Sequence, residues 1–155
     1  MNRVDIGAFG VASPDWAARA GEFAAAVCDK LFCDKWDLSL LFCDDAFIRD
    51  LNRRFRDRDE PTDVLSFPLG ETFVENGEER YAGGDIVISL ESLRANCKAF
   101  NVGEDEELRR LLIHGILHLK GLDHATNAPE EEMLLLQERL LKDPALAFLR
   151  CIQAD

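Results

Sequence analysis

All three histidines of this 155-residue chain fall within one stretch, His114-Gly115-Ile116-Leu117-His118-Leu119-Lys120-Gly121-Leu122-Asp123-His124. His114 and His118 are four positions apart, so on a helix they lie one turn apart on the same face. That spacing asks for a helix through this stretch. Gly121 predicts its end, because glycine can adopt the positive φ that stops a helix and turns the chain back. His124 then returns as a third ligand. Three imidazole nitrogens can share one ion at about 2.0–2.1 Å and leave a tetrahedral zinc one open position, as at catalytic sites. Solvent-facing histidines on an ordinary helix are the bland alternative. Three ligands around a turn-forming glycine make a far more specific pattern than a pair.

The spacing H-x-x-x-H-x-x-G-x-x-H is that of the metzincin peptidases, with one change. Those enzymes carry a glutamate directly after the first histidine as general base. Here that position is Gly115. Glycine cannot take a proton, so the metal frame comes without the peptidase base, which argues against peptide hydrolysis.

The length suits one domain, residues 1–155, around one core. A composition of 47% hydrophobic and 31% charged residues reads as soluble and globular. No apolar run approaches the ~20 residues that span a bilayer, and the N-terminus lacks a signal-peptide pattern. A cytoplasmic protein with no membrane partner is expected. The five cysteines, Cys28, Cys33, Cys43, Cys97 and Cys151, are irregularly spaced with no Cys-x-x-Cys pair. They read as reduced, mostly buried thiols rather than a second metal site. The net charge of −12 argues against nucleic-acid binding through bulk charge. A local basic patch exists in Arg49, Arg53, Arg54, Arg56 and Arg58. With Asp50, Asp57 and Asp59 interleaved, charge alone makes it a solvated helix face.

Periodicity predicts alternating strands and helices. Arg3–Phe9 is a strand, and Ser13-Pro14-Asp15 starts a helix with Trp16, Ala17, Ala20, Phe23, Ala24 and Val27 facing the core. Trp36–Cys43 is a buried strand. Asp44-Asp45 caps a helix with Phe47, Ile48, Leu51 and Phe55 inward. Val64–Phe67 is a short strand stopped by Pro68, and Gly70–Gly77 is a loop or hairpin tip. Gly83–Ser89 is a strand, and Ser89 caps a helix using Leu90, Leu93, Cys97 and Phe100. Glu104–Glu107 opens the histidine helix with acids at the positive end of its dipole, and Leu108, Leu111, Leu112, Ile116 and Leu119 form its core stripe. Pro129–Glu132 begins the last long helix, with Met133, Leu136, Leu140 and Leu141 inward. Asp143-Pro144 breaks it, and the tail 145–155 has room for a short helix.

Several stretches together resemble the bacterial YbeY family of metal-dependent single-strand endoribonucleases. They are His114-Gly115-x-x-His118-Leu119-x-Gly121-x-Asp123-His124, Leu51-Asn52-x-x-Phe55-Arg56, Pro61-Thr62-Asp63-Val64-Leu65-Ser66-Phe67-Pro68, and Gly84-Asp85-Ile86-Val87-Ile88-Ser89. They follow the family's order and span about residues 50–125. The resemblance implies an α+β fold: a mixed, roughly four-stranded sheet flanked by helices, with a zincin-like metal helix. It implies one Zn²⁺ per chain on His114, His118 and His124, although imidazole also suits other transition metals. It implies a functional arginine at Arg56, whose planar guanidinium matches a phosphate. Its substrate would be single-stranded RNA, with action in 16S ribosomal RNA 3′-end maturation and ribosome quality control. Ribosome-associated proteins would be partners.

Asp123 can accept a hydrogen bond from a ligand imidazole or cap the turn. Thr62, Ser66 and Asp85 read first as strand-end hydrogen bonders that can also line the cleft. The rival functions are a zinc hydrolase of another class, acting on peptides or small molecules, and a non-catalytic ribosome-associated factor with structural zinc. A fourth ligand from Asp123 or a cysteine would favour the structural rival.

Overall fold

Alternation along the two central strands gives the sheet two apolar faces for helices to cover. In the computed structural model, which describes residues 1–153, four strands form one mixed sheet in the order β1-β2-β4-β3. They are β1 (Arg3–Phe9), β2 (Trp36–Cys43), β3 (Val64–Glu75) and β4 (Glu78–Ser89). β1 and β4 run parallel to β2, while β3 runs antiparallel to β4. Six helices accompany them: α1 (Ala17–Lys30), α2 (Asp45–Arg56), α3 (Leu90–Phe100), α4 (Glu104–Leu119), α5 (Glu132–Lys142) and α6 (Pro144–Ala147). This is the α+β architecture that the sequence predicts.

Leu38, Leu40 and Phe42 of β2 and Ile86 and Ile88 of β4 point to one face, as a period of two requires. There they join Phe23 and Val27 of α1 and Leu108, Leu112 and Ile116 of α4 in the main core. The alternate residues Leu41, Cys43 and Val87 meet Phe47, Ile48 and Leu51 of α2 on the other face. α4 is therefore a central helix, and its stripe from Leu108 to Leu119 is buried as expected. The five cysteines are free thiols, and all but Cys97 are buried.

β1 and β2 have their predicted bounds, and Asp44 and Ser89 cap α2 and α3 by accepting from the N–H groups of Phe47 and Ser92. Other expectations need correction. α1 begins at Ala17, because residues 14–17 close a separate turn through Ala17 N–H and the Pro14 carbonyl. Ser13 therefore caps nothing. β3 does not stop at Pro68. It is an edge strand, where a missing N–H is tolerated, and a register shift between Pro68 and Glu71 carries it onward. The hairpin turns at Asn76-Gly77, both with positive φ as a two-residue turn requires. Phe55 and Phe100 lie in the last turns of their helices and are exposed, not inward. α5 starts at Glu132 rather than Pro129, and the tail helix is the single turn α6. Residues 154 and 155 of the predicted tail lie outside the described residues.

One of the acids at the head of α4 does more than face its dipole. Asp105 is buried and accepts from the backbone N–H groups of Cys151 and Ile152, at 2.7 and 2.8 Å, and from Arg109. It fastens the tail to the start of the histidine helix.

Gly84 sits where β3, β4 and the end of α4 meet. Its φ is +136°, and a Cβ there would lie 2.2 Å from the Phe67 carbonyl oxygen and 3.0 Å from Leu119. Gly84→Ala is expected to cost on the order of 3 kcal/mol from steric overlap and backbone strain. The midpoint of urea unfolding measures this.

Candidate metal centre

Each histidine is placed by a different piece of local structure. His114 and His118 stand one turn apart near the end of α4, beside its buried stripe, and both are half-buried. The helix then ends as the sequence predicts. Gly121 has φ +94°, its N–H bonds the His118 carbonyl at 2.9 Å, and the Leu122 N–H bonds the Leu117 carbonyl at 3.0 Å. This pair of bonds is the Schellman closure. It brings the Leu122 carbonyl back over the last turn, where it takes a hydrogen bond from His118 Nδ1 at 3.0 Å. His124 follows on the returning chain. Its backbone N–H donates to Asp123 at 2.8 Å, so Asp123 caps the turn, and its carboxylate stays 4.0 Å from His118 Nδ1. The loop beyond is tied by Thr126 to Glu131, and the Thr126 carbonyl accepts from His124 Nδ1 at 2.8 Å.

The third Nδ1 is also engaged. His114 Nδ1 lies 2.6 Å from Gln137 Oε1 on α5. All three Nδ1 atoms therefore face carbonyl oxygens, which can only accept. Each must carry its proton on Nδ1, leaving each Nε2 lone pair free. One nitrogen from each of the three rings lies within 4.8 Å of those of the other two. The Nε2 atoms of His114 and His118 are 3.1 Å apart. Two lone pairs at that separation repel unless a cation lies between them, and two nitrogens on one tetrahedral zinc are about 3.3 Å apart. Burial holds His114 and His118 below the ordinary histidine pKa, and the neighbouring imidazoles add to this at each. Both are thus kept in the neutral form that a metal requires. The donor set fits a divalent transition metal. Among the described residues no carboxylate or thiol joins this group.

His114 and His118 open onto a cleft of about 420 Å³ lined also by Arg56, Ser66, Pro68 and Asp123, and His124 lines an adjoining cavity together with His114. Arg56 ends α2, where Asp57 takes a left-handed conformation, and it reaches the edge strand. Its Nη2 donates to the Ser66 carbonyl at 2.8 Å, and its guanidinium lies 5.3 Å from the centre of the Phe67 ring. Within the basic cluster Arg49 pairs with Asp59, and Arg53 and Arg54 pair with Asp50. Those three match the solvated-face reading. Arg56 and Arg58 have no carboxylate partner among the described residues. Ser66 lines the cleft and donates to the Gly115 carbonyl at 3.3 Å. Thr62 lines an adjoining cavity beside His114 and His124. Asp85 is elsewhere. It faces the groove between the sheet and α2, with Phe47, Leu51 and Phe67. The acceptors that orient the rings escaped the sequence reading. Only Gln137 left a signal, as a polar residue within the inward face of α5 between Met133 and Leu141.

Residues 10–144 match the model of the family described as Endoribonuclease YbeY. Among curated proteins, an Endoribonuclease YbeY of Treponema denticola is 58% identical over 124 residues, 79% of this chain and 80% of that protein. One from Treponema pallidum is 49% identical over 142 residues, covering 91% and 89%. One from Borreliella burgdorferi is 44% identical, covering 82% and 86%. The solution structure of a Thermotoga maritima protein is similar, with a TM-score of 0.59 and 28% identity over 88% of this chain and 85% of that one.

Gly115 explains itself in this geometry. It is buried, and a Cβ there would lie 3.0–3.2 Å from three atoms of Ile86. The position that holds a base in peptidases points here into the sheet. Gly115→Glu is expected to cost more than about 3 kcal/mol, from overpacking and a buried charge, and to yield no peptide cleavage. Urea unfolding and a fluorogenic-peptide assay check the two halves.

Proposed function

The chain belongs to the YbeY endoribonuclease family, and from that premise we propose that it is a single-strand-specific, zinc-dependent endoribonuclease of ribosomal RNA maturation. In this reading it acts in the cytoplasm, at the 3′ end of 16S ribosomal RNA and in ribosome quality control, with ribosome-associated proteins as partners. Among the described residues no helix is long and apolar enough to cross a membrane. The observation that carries the proposal is the shared cleft. His114 and His118, two of the three converging imidazoles, line the same opening as an arginine without an acidic partner.

His114, His118 and His124 hold the ion. When bound, a divalent zinc supplies Lewis acidity toward a phosphoryl oxygen and acidifies a water near neutral pH. Arg56 binds a non-bridging oxygen of the scissile phosphate, where negative charge builds during cleavage. Its planar fork suits that group, and the Ser66 carbonyl and Phe67 ring fix its direction without neutralising it. Arg58, beyond Arg56 in the adjoining cavity, contacts the RNA backbone. Gly115 supplies no base, which supports phosphodiester over peptide hydrolysis. The three-ligand donor set leaves room for a reacting group, which supports catalysis over a structural zinc.

The test measures zinc content and cleavage of a single-stranded RNA for the wild type, His114→Ala and Arg56→Glu. The wild type is expected to hold about one zinc per chain. His114→Ala should lose both metal and cleavage. Arg56→Glu should keep the metal and lose roughly 10²-fold or more in cleavage rate. Wild-type protein that holds zinc but cleaves no faster than the two variants would overturn the nuclease assignment.

A further inference from the structure

The contact between His114 and Gln137 belongs to a larger network. Gln137 is buried, at 7% exposure, on the face of α5 that meets α4. Its Oε1 faces His114 Nδ1 at 2.6 Å, and its Nε2 donates to Glu138 Oε2 at 3.2 Å. Glu138 is gripped by the fork of Arg110, through Nε at 3.0 Å and Nη2 at 3.2 Å. The remaining nitrogen of Arg110 donates to Glu107 at 2.8 Å. Glu107 also accepts from Asn96 on α3, which donates in turn to Asp63 at the start of β3. Three helices and the edge strand thus hold one carboxylate, Glu138, beside the Gln137 amide.

A primary amide can present either its oxygen or its nitrogen to a neighbour. Turned over, Gln137 would point its NH₂ at His114 and its oxygen at the Glu138 carboxylate. That arrangement loses one hydrogen bond and sets two acceptors against each other. Glu138, fixed by Arg110, therefore selects the orientation with the oxygen toward His114. A carbonyl there requires the His114 proton on Nδ1, which leaves the Nε2 lone pair in the metal frame. His118 and His124 meet backbone carbonyls, which cannot turn over. His114 alone depends on a side chain for its tautomer.

We propose that Gln137 is a positioning residue that sets the tautomer and ring direction of His114, with Arg110 and Glu138 holding its amide in the one orientation that does so. The inference rests on the three-histidine metal reading, and its test separates the two. Three proteins are compared: wild type, Gln137→Met, and the exchange variant Gln137→Glu with Glu138→Gln. The exchange keeps an acceptor toward His114 and a donor beside it. Zinc affinity is read by competition with a chromophoric chelator, the His114 tautomer by long-range ¹⁵N–¹H spectra of the metal-free protein, and folding by urea unfolding. Gln137→Met should bind zinc 10–100-fold more weakly and lose the Nδ1–H form of His114. The exchange variant should recover most of the affinity. Zinc binding by Gln137→Met as tight as by the wild type, or a loss that the exchange does not recover, would overturn the role of Gln137. A wild type that takes up no zinc would instead overturn the metal reading, while the metal-free spectra still decide the tautomer. If Gln137→Met does not fold, Glu138→Gln tests the same link with Gln137 in place. A weakened zinc affinity there supports the inference, and an unchanged one removes Glu138 from it.

Discussion

The depth at which α4 lies on the sheet governs the rest, and Gly115 sets that depth. A side chain there would press on Ile86 at 3.0 Å, so its absence lets the helix backbone approach β4 closely. At that distance the Gly115 carbonyl comes within reach of the Ser66 hydroxyl on the edge strand. The same approach buries Ile113, Ile116 and Leu117, and turns His114 and His118 toward the open side, beside β3. One position thus does two things. It removes the base that a peptidase would need, and it brings the imidazole frame against the strand whose Ser66 carbonyl holds Arg56.

The charge of the chain sharpens what that arginine can do. A protein of net charge −12 repels a polyanion at long range. At physiological salt this repulsion is screened beyond about 8 Å, so a local cation acts only near contact. Arg49, Arg53 and Arg54 are spent on aspartates. Arg56 is held instead by a carbonyl dipole and an aromatic face, which direct it without cancelling it. Discrimination then falls to the cleft rather than to the surface as a whole.

Much of this was legible in the sequence because it is local. The bounds of β1 and β2, the caps at Asp44 and Ser89, the core stripe of α4 and the turn at Gly121 follow from periodicity and from single residues with one strong preference. The converging histidines were legible because they sit within one helix and its closing turn. What the sequence hid depends on neighbours distant along the chain. Pro68 stops a central strand but not an edge strand, and sequence does not say which β3 is. Phe55 and Phe100 keep helical spacing but outrun the surface their helices cover. Ser13-Pro14-Asp15 has the composition of a helix start, yet the turn at Pro14 delays the helix to Ala17. Gln137 is ordinary as a letter and acquires meaning only when α5 packs against α4. The family resemblance supplied Arg56, which charge pattern alone had assigned to a solvated face.

The hydrogen bond between Ser66 and Gly115 joins residues 49 apart in the chain, while the ligands and their orienting oxygens all lie between residues 114 and 137. The two halves of the cleft therefore differ in contact order. The imidazole frame closes through near neighbours once α4 and α5 dock, which is the fast kind of event in folding. Arg56 joins it only once the β3–β4 hairpin has packed against α4, through contacts such as that between Ser66 and Gly115, which is the slow kind. A chain caught between these steps has a completed metal frame with no guanidinium beside it. The imidazole frame and the guanidinium beside it are thus assembled by contacts of different range along one chain.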